Sequence, residues 1–199
     1  MEIDIYDFDK TVIPFDSSSK FIIFCFVHYP WTLVTLPVIL LCAIPAVLGI
    51  ISYTSFKKVC FMFVPMIPLK KAVSRFWDKY ESSVYPWFKE GKKRYSVVIS
   101  ASPDFLLRDI AQRLGFDKLI CSCHNKKTGA LIGSNCRGEE KVRRFFEEFN
   151  KDEIKVADVY SDSLKNDRPI FSLAGGKCFN VRGGVPVEFD YKEMYALKD

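Results

Sequence analysis

A chain of 199 residues has room for one domain plus an insertion, and its 49% hydrophobic content is enough to bury a core without disulfide support. The net charge of +5 is local: ten Lys/Arg against three acids lie between Lys57 and Arg94, and the rest of the chain is slightly acidic. That pattern excludes a generally basic nucleic-acid binder, so no nucleic-acid partner is expected.

Taken in chain order, Glu2 to Asp7 alternates polar and apolar residues and runs into the acidic turn Asp7-Phe8-Asp9-Lys10-Thr11, which reads as a short buried strand ending in a loop. The opening Glu2 and Asp4 do not fit a secretory leader, so the seven cysteines are expected to be reduced thiols on a cytoplasmic-side protein. Residues 17–69 form an apolar insertion. Trp31 to Tyr53 carries 23 residues without a charge, long enough to span a bilayer, yet Pro30, Pro37 and Pro45 interrupt it. Residues 70–94 read as a basic, aromatic helical stretch leading back to the main domain.

Tyr95 to Ala101 is a β-branched run that predicts a central parallel strand. Ser102 and Pro103 then open a helix, which Gly115 stops. Lys118 to Ser122 predicts a strand, Gly138 leads into a helix, and Ile154 to Tyr160 predicts another strand. A helix is expected near Pro169, and a last short strand over Lys177 to Val181. The alternation predicts an α/β fold with a Rossmann-like, mainly parallel sheet flanked by helices. Residues 1–16 and 95–199 would make the core, and 17–94 an inserted helical cap. In such sheets ligands sit at the carboxyl ends of the strands, where the loops after Tyr6, Ile99 and Tyr160 fall.

Those loops carry the chemistry. Asp7 and Asp9 can face one pocket, and two close carboxylates repel unless a proton or a cation intervenes. Hard oxygen ligands of this kind suit Mg²⁺ shared with a phosphate. Ser100 ends its strand, Lys141 sits near the start of its helix, and Asp162 and Asp167 follow the strand ending at Tyr160. Carboxylates, a serine and a lysine together are the side chains that phosphoryl transfer needs.

In this ordered set the sequence resembles the haloacid dehalogenase superfamily of phosphatases. Asp7, Asp9 and Thr11 match its D-x-D-x-T motif, and Ser100, Lys141 and the pair Asp162/Asp167 match its later motifs. The resemblance implies that Asp7 attacks phosphorus and Asp9 is the acid and base. It implies that Asp7, Asp162 and the Asp9 backbone carbonyl bind Mg²⁺. Ser100 and Lys141, with Thr11 and Ala101, would hold the substrate. Asp167 or Asn166 would order the metal's surroundings.

The superfamily places a cap between its first two motifs. Asp7 and Ser100 must share one site, so both ends of the insertion lie on one side of any bilayer, and a hairpin or an interfacial helix pair is expected. Lys57, Lys58, Lys70 and Lys71 are expected to meet anionic headgroups, and Trp31, Tyr53, Trp77 and Trp87 to sit at headgroup level. The apolar cap, S-A-S-P, Cys136 to Val142 and Tyr160 to Ser163 resemble the bacterial phosphatidylglycerophosphatase C group. That implies a phosphorylated lipid substrate, a bilayer partner and an inner-membrane location with a cytoplasmic active site. The alternatives are a phosphatase of a small soluble metabolite, phosphoserine-like, with a buried cap, or a catalytically silent membrane adaptor. Cys121, Cys123, His124 and Cys136 also raise a zinc reading, though not in a standard ligand spacing. The Phe145, Phe146, Phe149 group reads as core, His28 as a hydrogen-bonded interior or interfacial residue, and Lys92-Lys93-Arg94 as solvated surface.

Overall fold

The computed structural model describes residues 1–91 and 94–196. Glu2–Tyr6 (β1), Tyr95–Pro103 (β2), Lys118–Ser122 (β3), Lys155–Ser161 (β4), Cys178–Arg182 (β5) and Val185–Phe189 (β6) form one sheet in the order β3-β2-β1-β4-β5-β6. Neighbours are parallel throughout, except for the antiparallel β5–β6 pair. The α/β, mainly parallel fold is as the alternation predicted. β6 was not foreseen. Its residues are mostly exposed, so it shows no buried alternation to read. The signal that could have revealed it is Gly183-Gly184, whose positive φ angles (57° and 83°) suit a two-residue hairpin turn.

Side-chain alternation along the strands gives the sheet two buried faces. On one face Ile3, Ile5, Val97, Ile99 and Val159 pack with Phe145 of Glu139–Glu148 (α7) and with Ile170 and Phe171 of Arg168–Phe171 (α8). On the other, Tyr6, Phe8 and Val98 pack with Leu106 and Ile110 of Asp104–Arg113 (α6) and with the insertion. Within the aromatic group of α7, Phe145 is fully buried, but Phe146 is exposed beside Lys151.

The insertion divides in two. Ser17–His28 (α1), Leu69–Tyr80 (α4) and Pro86–Gly91 (α5) flank it. Asp16 caps α1 by accepting from the Ser19 amide at 2.7 Å. Ala72, Val73, Phe76 and Trp77 line one stripe of α4 and are buried with Phe21 and Phe24 of α1. Between these helices stands the outlying part: a 3₁₀ turn over Pro30–Thr35, then Leu36–Val47 (α2) and Tyr53–Cys60 (α3). Pro30 opens the 3₁₀ turn and Pro37 sits in the first turn of α2, where a missing amide costs little. Tyr191–Ala196 (α9) ends the described chain.

The aromatic and charged residues of this region fall into different environments. Trp77 does not reach a headgroup layer: it is fully buried, and its Nε1 donates to the Leu106 carbonyl at 2.7 Å. Trp87 is half-buried and stacks on Tyr160. Trp31 is exposed, with its Nε1 donating to the Met66 carbonyl. The Tyr53 side chain and Lys92 and Lys93 lie outside the described residues. Arg94 is more than solvated surface, since it donates to Asp4 at 3.1 Å and Asp158 at 2.8 Å and so ties β1 to β4. His28 is on the surface, its Nδ1 2.9 Å from the Phe24 carbonyl oxygen.

Candidate active site

The chain continues from β1 to one side of the sheet and later to the other, which leaves a crevice at the carboxyl end of β1. Asp7 is the first residue past that end, anchored by its amide, which donates to the Tyr160 carbonyl at 2.9 Å. Lys10 takes φ 60°, a left-handed conformation unusual for a non-glycine residue, and so tightens the turn carrying Asp7 and Asp9. Gly138, with φ 61°, turns the chain into α7, and the first turn of that helix carries Lys141.

These loops converge. Lys141 Nζ lies 2.8 Å from Asp7 Oδ1 and 2.8 Å from Asp167 Oδ1, and all three side chains are buried. Thr11 Oγ1 donates to Asp7 Oδ2 at 3.2 Å and accepts from the Asp162 amide at 2.9 Å, so it joins the first loop to the last. Thr11 lies behind Asp7 rather than on the cavity wall, so it orients the carboxylate instead of touching a substrate as expected. Ser161 Oγ donates to the second oxygen of Asp167 at 2.5 Å. The Asn166 side chain is engaged by Ser163 and Arg137 instead of Lys141. Of the pair left open by sequence, Asp167 therefore faces the charged centre.

The cavity above this centre has a volume of about 530 Å³ and is lined by Asp7, Asp9, Ser100, Ala101, Lys141, Asp162, Asn166 and Asp167 among others. Burial pushes the Asp7 carboxyl up to about 7, with Lys141 pulling down and Asp167 pushing up. Burial also raises Asp9 to about 6, aided by Asp16 and opposed by hydrogen bonds from Ser102 and Ser17. Asp162 is raised by burial and by Asp167. Burial works against the Lys141 charge, but Asp167 and Asp7 outweigh it and hold the ammonium well above its usual range.

Sequence reasoning missed five contributors. Lys57 was expected at a lipid headgroup, yet it is buried and donates to the Ala101 carbonyl and to Asn135 Oδ1 (2.9 Å), bringing a cap cation into the cavity. A lysine inside an apolar run was the available signal. Ser102 Oγ donates to Asp9 Oδ2 and lies near the Ser17 and Ser18 hydroxyls, while the Ser17 amide donates to Asp9 Oδ1 at 2.9 Å. Asn135 also accepts from Ser122 Oγ at 2.9 Å. Asn180 Nδ2 donates to the Ser161 and Asp162 carbonyls and holds the last loop. Neither asparagine belongs to a motif.

The family model of haloacid dehalogenase-like hydrolases matches residues 5–172. The chain belongs to this family. Protein CicA of Caulobacter vibrioides is 34% identical over 105 residues, which cover 50% of this chain and 46% of that protein, so the chain spans about half the length of that relative. A protein of unknown function from Bordetella pertussis Tohama I has a TM-score of 0.71 to this hydrolase at 17% identity, covering 85% of each chain. A phosphoserine phosphohydrolase-like protein from Francisella tularensis subsp. tularensis SCHU S4 has a TM-score of 0.57 at 16% identity, covering 90% of this chain and 87% of that one. At these identities the likeness is one of fold.

The donor set fits a divalent cation on its chemistry. Asp7, Asp9, Asp162 and Asp167 line one cavity with Lys141, and three of these carboxyls are held above their ordinary range. Mg²⁺ needs few protein carboxylates because it keeps several waters and shares substrate oxygens. Among the described residues, no three His, Cys, Asp or Glu side chains group closely enough to hold an ion by themselves. That count applies equally to Cys121, Cys123, His124 and Cys136, so the zinc reading is not supported. All seven cysteines are free thiols.

Proposed function

We propose that this hydrolase is a magnesium-dependent phosphomonoesterase that works through an aspartyl-phosphate on Asp7. The carrying observation is that Asp7, at the head of the crevice, is held at one oxygen by Lys141 and at the other by Thr11. Its carboxylate oxygen attacks phosphorus as the ester P–O bond breaks, and the alkoxide leaves with a proton from Asp9. Asp9 then takes a proton from water, which attacks phosphorus and releases phosphate from Asp7. Lys141 and Ser100 bind the phosphoryl oxygens, and Asp167 keeps Lys141 charged and in place. The Asp7 and Asp162 carboxylates with the Asp9 backbone carbonyl would hold Mg²⁺, which when bound offsets charge on the transferring phosphoryl group.

The substrate we infer is a membrane lipid phosphate, such as the phosphatidylglycerophosphate of the group the motifs resemble, met at the cytoplasmic face of a bacterial inner membrane. The support is on the cap. Pro30–Val47 is helical and, by length and composition alone, apolar enough to cross a membrane. Leu33, Val34, Leu40, Leu41, Ile44, Val47 and Leu48 are all exposed. A second reading, a small soluble phosphate ester, is favoured by Lys57 and Asp16 lining the same cavity, a cation and a carboxylate suited to a zwitterion. The name of the Francisella neighbour points the same way.

The test is phosphate release from a panel of lipid phosphates, phosphoserine and sugar phosphates, with Asp7→Asn as blank. Activity should vanish on chelation and return with Mg²⁺. Preference for phosphoserine over every lipid would select the second reading, and no turnover of any ester would sink both.

A further inference from the structure

The cavity has two kinds of wall. Around Asp7, Ser100 and Lys141 it is polar and charged. On the cap side Asp16, Ser18, Ser19 and Lys57 add polar groups, but Ile22 and Ile23 of α1, Ile39 of α2 and Phe56 of α3 also line it. Three helices thus each contribute an apolar side chain to the cavity. At about 530 Å³ the space is far larger than a phosphate group needs.

α2 links this wall to the outside. Ile39 is its one buried residue and faces the cavity, while Leu40 and Leu41 on the same helix are 54% and 71% exposed. Ile23 belongs to both surfaces, since it lines the cavity and is itself 63% exposed. Ile39, Phe56 and Ile23 therefore line the cavity that holds the charged centre, and through Ile23 and α2 they adjoin exposed apolar surface of the cap.

We propose that this apolar wall is a subsite for an aliphatic chain of the substrate, with the phosphate at Asp7 and the chain laid along Ile39, Phe56 and Ile23. The inference rests on the phosphomonoesterase reading and adds to it the chemical class of the leaving group. A polar leaving group would strand this wall against water or hydroxyls, whereas a methylene chain removes apolar surface on both partners from water.

The test uses n-alkyl phosphates from ethyl to octyl, monomeric in solution and without vesicles, so that membrane attachment plays no part. For the intact enzyme kcat/KM should rise with each methylene by up to roughly fourfold, the value for full burial, and level off once the chain passes Ile23. Ile23→Ser should flatten that slope; its exposed position keeps folding out of the result. Phe56→Ser is the second variant and should flatten it from a shorter chain length onward. Turnover that does not depend on chain length, or a slope untouched by both substitutions, overturns the subsite alone. Absence of turnover for every ester, equal to the Asp7→Asn blank, overturns the phosphomonoesterase reading and the subsite with it.

Discussion

At the carboxyl edge of the sheet, charge has moved inside: Lys141 and Asp167 are 2% and 3% exposed. On the cap the reverse holds, with Leu41 and Val47 standing 71% and 86% exposed. Both regions depart from ordinary burial, for different reasons. Buried charge survives only when paired, and here one lysine is clamped between two carboxylates while Thr11 and Ser161 take their remaining oxygens. The apolar helix has no comparable cover among the described residues. The first region is closed by its own pairings, and the second is the surface on which we propose membrane contact.

The comparison breaks first at its charged end. Asp7→Asn should lower phosphate release from p-nitrophenyl phosphate by about 10⁴-fold, because the carboxylate we propose as nucleophile is gone. Residual activity near that of the intact enzyme would remove Asp7 from the mechanism. Lys141→Met should cost roughly 3–5 kcal/mol in urea unfolding, since it leaves Asp7 and Asp167 buried without their counter-charge. A neutral result would mean that the carboxyls simply take up protons.

The apolar end is sharpened by the triple variant Leu40→Ser, Leu41→Ser, Ile44→Ser. It should weaken cosedimentation with anionic vesicles by about 100-fold, given the apolar area removed. Unfolding free energy should change by no more than about 0.5 kcal/mol per site, as these side chains are exposed. An intact protein that ignores vesicles would refute the membrane reading of the cap.

A pH-dependent effect lies where cap and core meet. His124 packs edge-on against Phe61 of the insertion and Phe105 of the core, and burial lowers it to about 4 from an ordinary 6.5. The unfolded chain binds its proton first, so this residue's share of stability is complete above about 6.5 and is lost as pH falls toward 4. The difference in unfolding free energy between the intact protein and His124→Phe should change over that window by at most about 3 kcal/mol. A constant difference would show that His124 charges freely in the folded state.

Strands β1 to β4 and helices α6 and α7 were legible because their burial imposes a pattern: alternation in Glu2–Tyr6, a β-branched run in Tyr95–Ala101, an apolar stripe before Gly115. β6 was not, because its residues are largely exposed and only its glycine turn is distinctive. Within the site, Asp7 and Lys141 could be placed from their motif spacing, while the choice between Asp167 and Asn166 stayed open. Asn135 and Asn180 could not be placed, since each acts by bonding to residues 13–78 positions away.

Alone, the sequence determined the alternating elements and the order in which chemically capable side chains arrive, since both follow from local spacing along the chain. Only the tertiary structure decided that Lys57 leaves the apolar cap for the active cavity, that Trp77 is core rather than interface, and that Asp167, not Asn166, meets Lys141. Those outcomes depend on which distant groups can satisfy a buried amine, indole or carboxylate, and that partnership exists only once the strands and the cap are packed together.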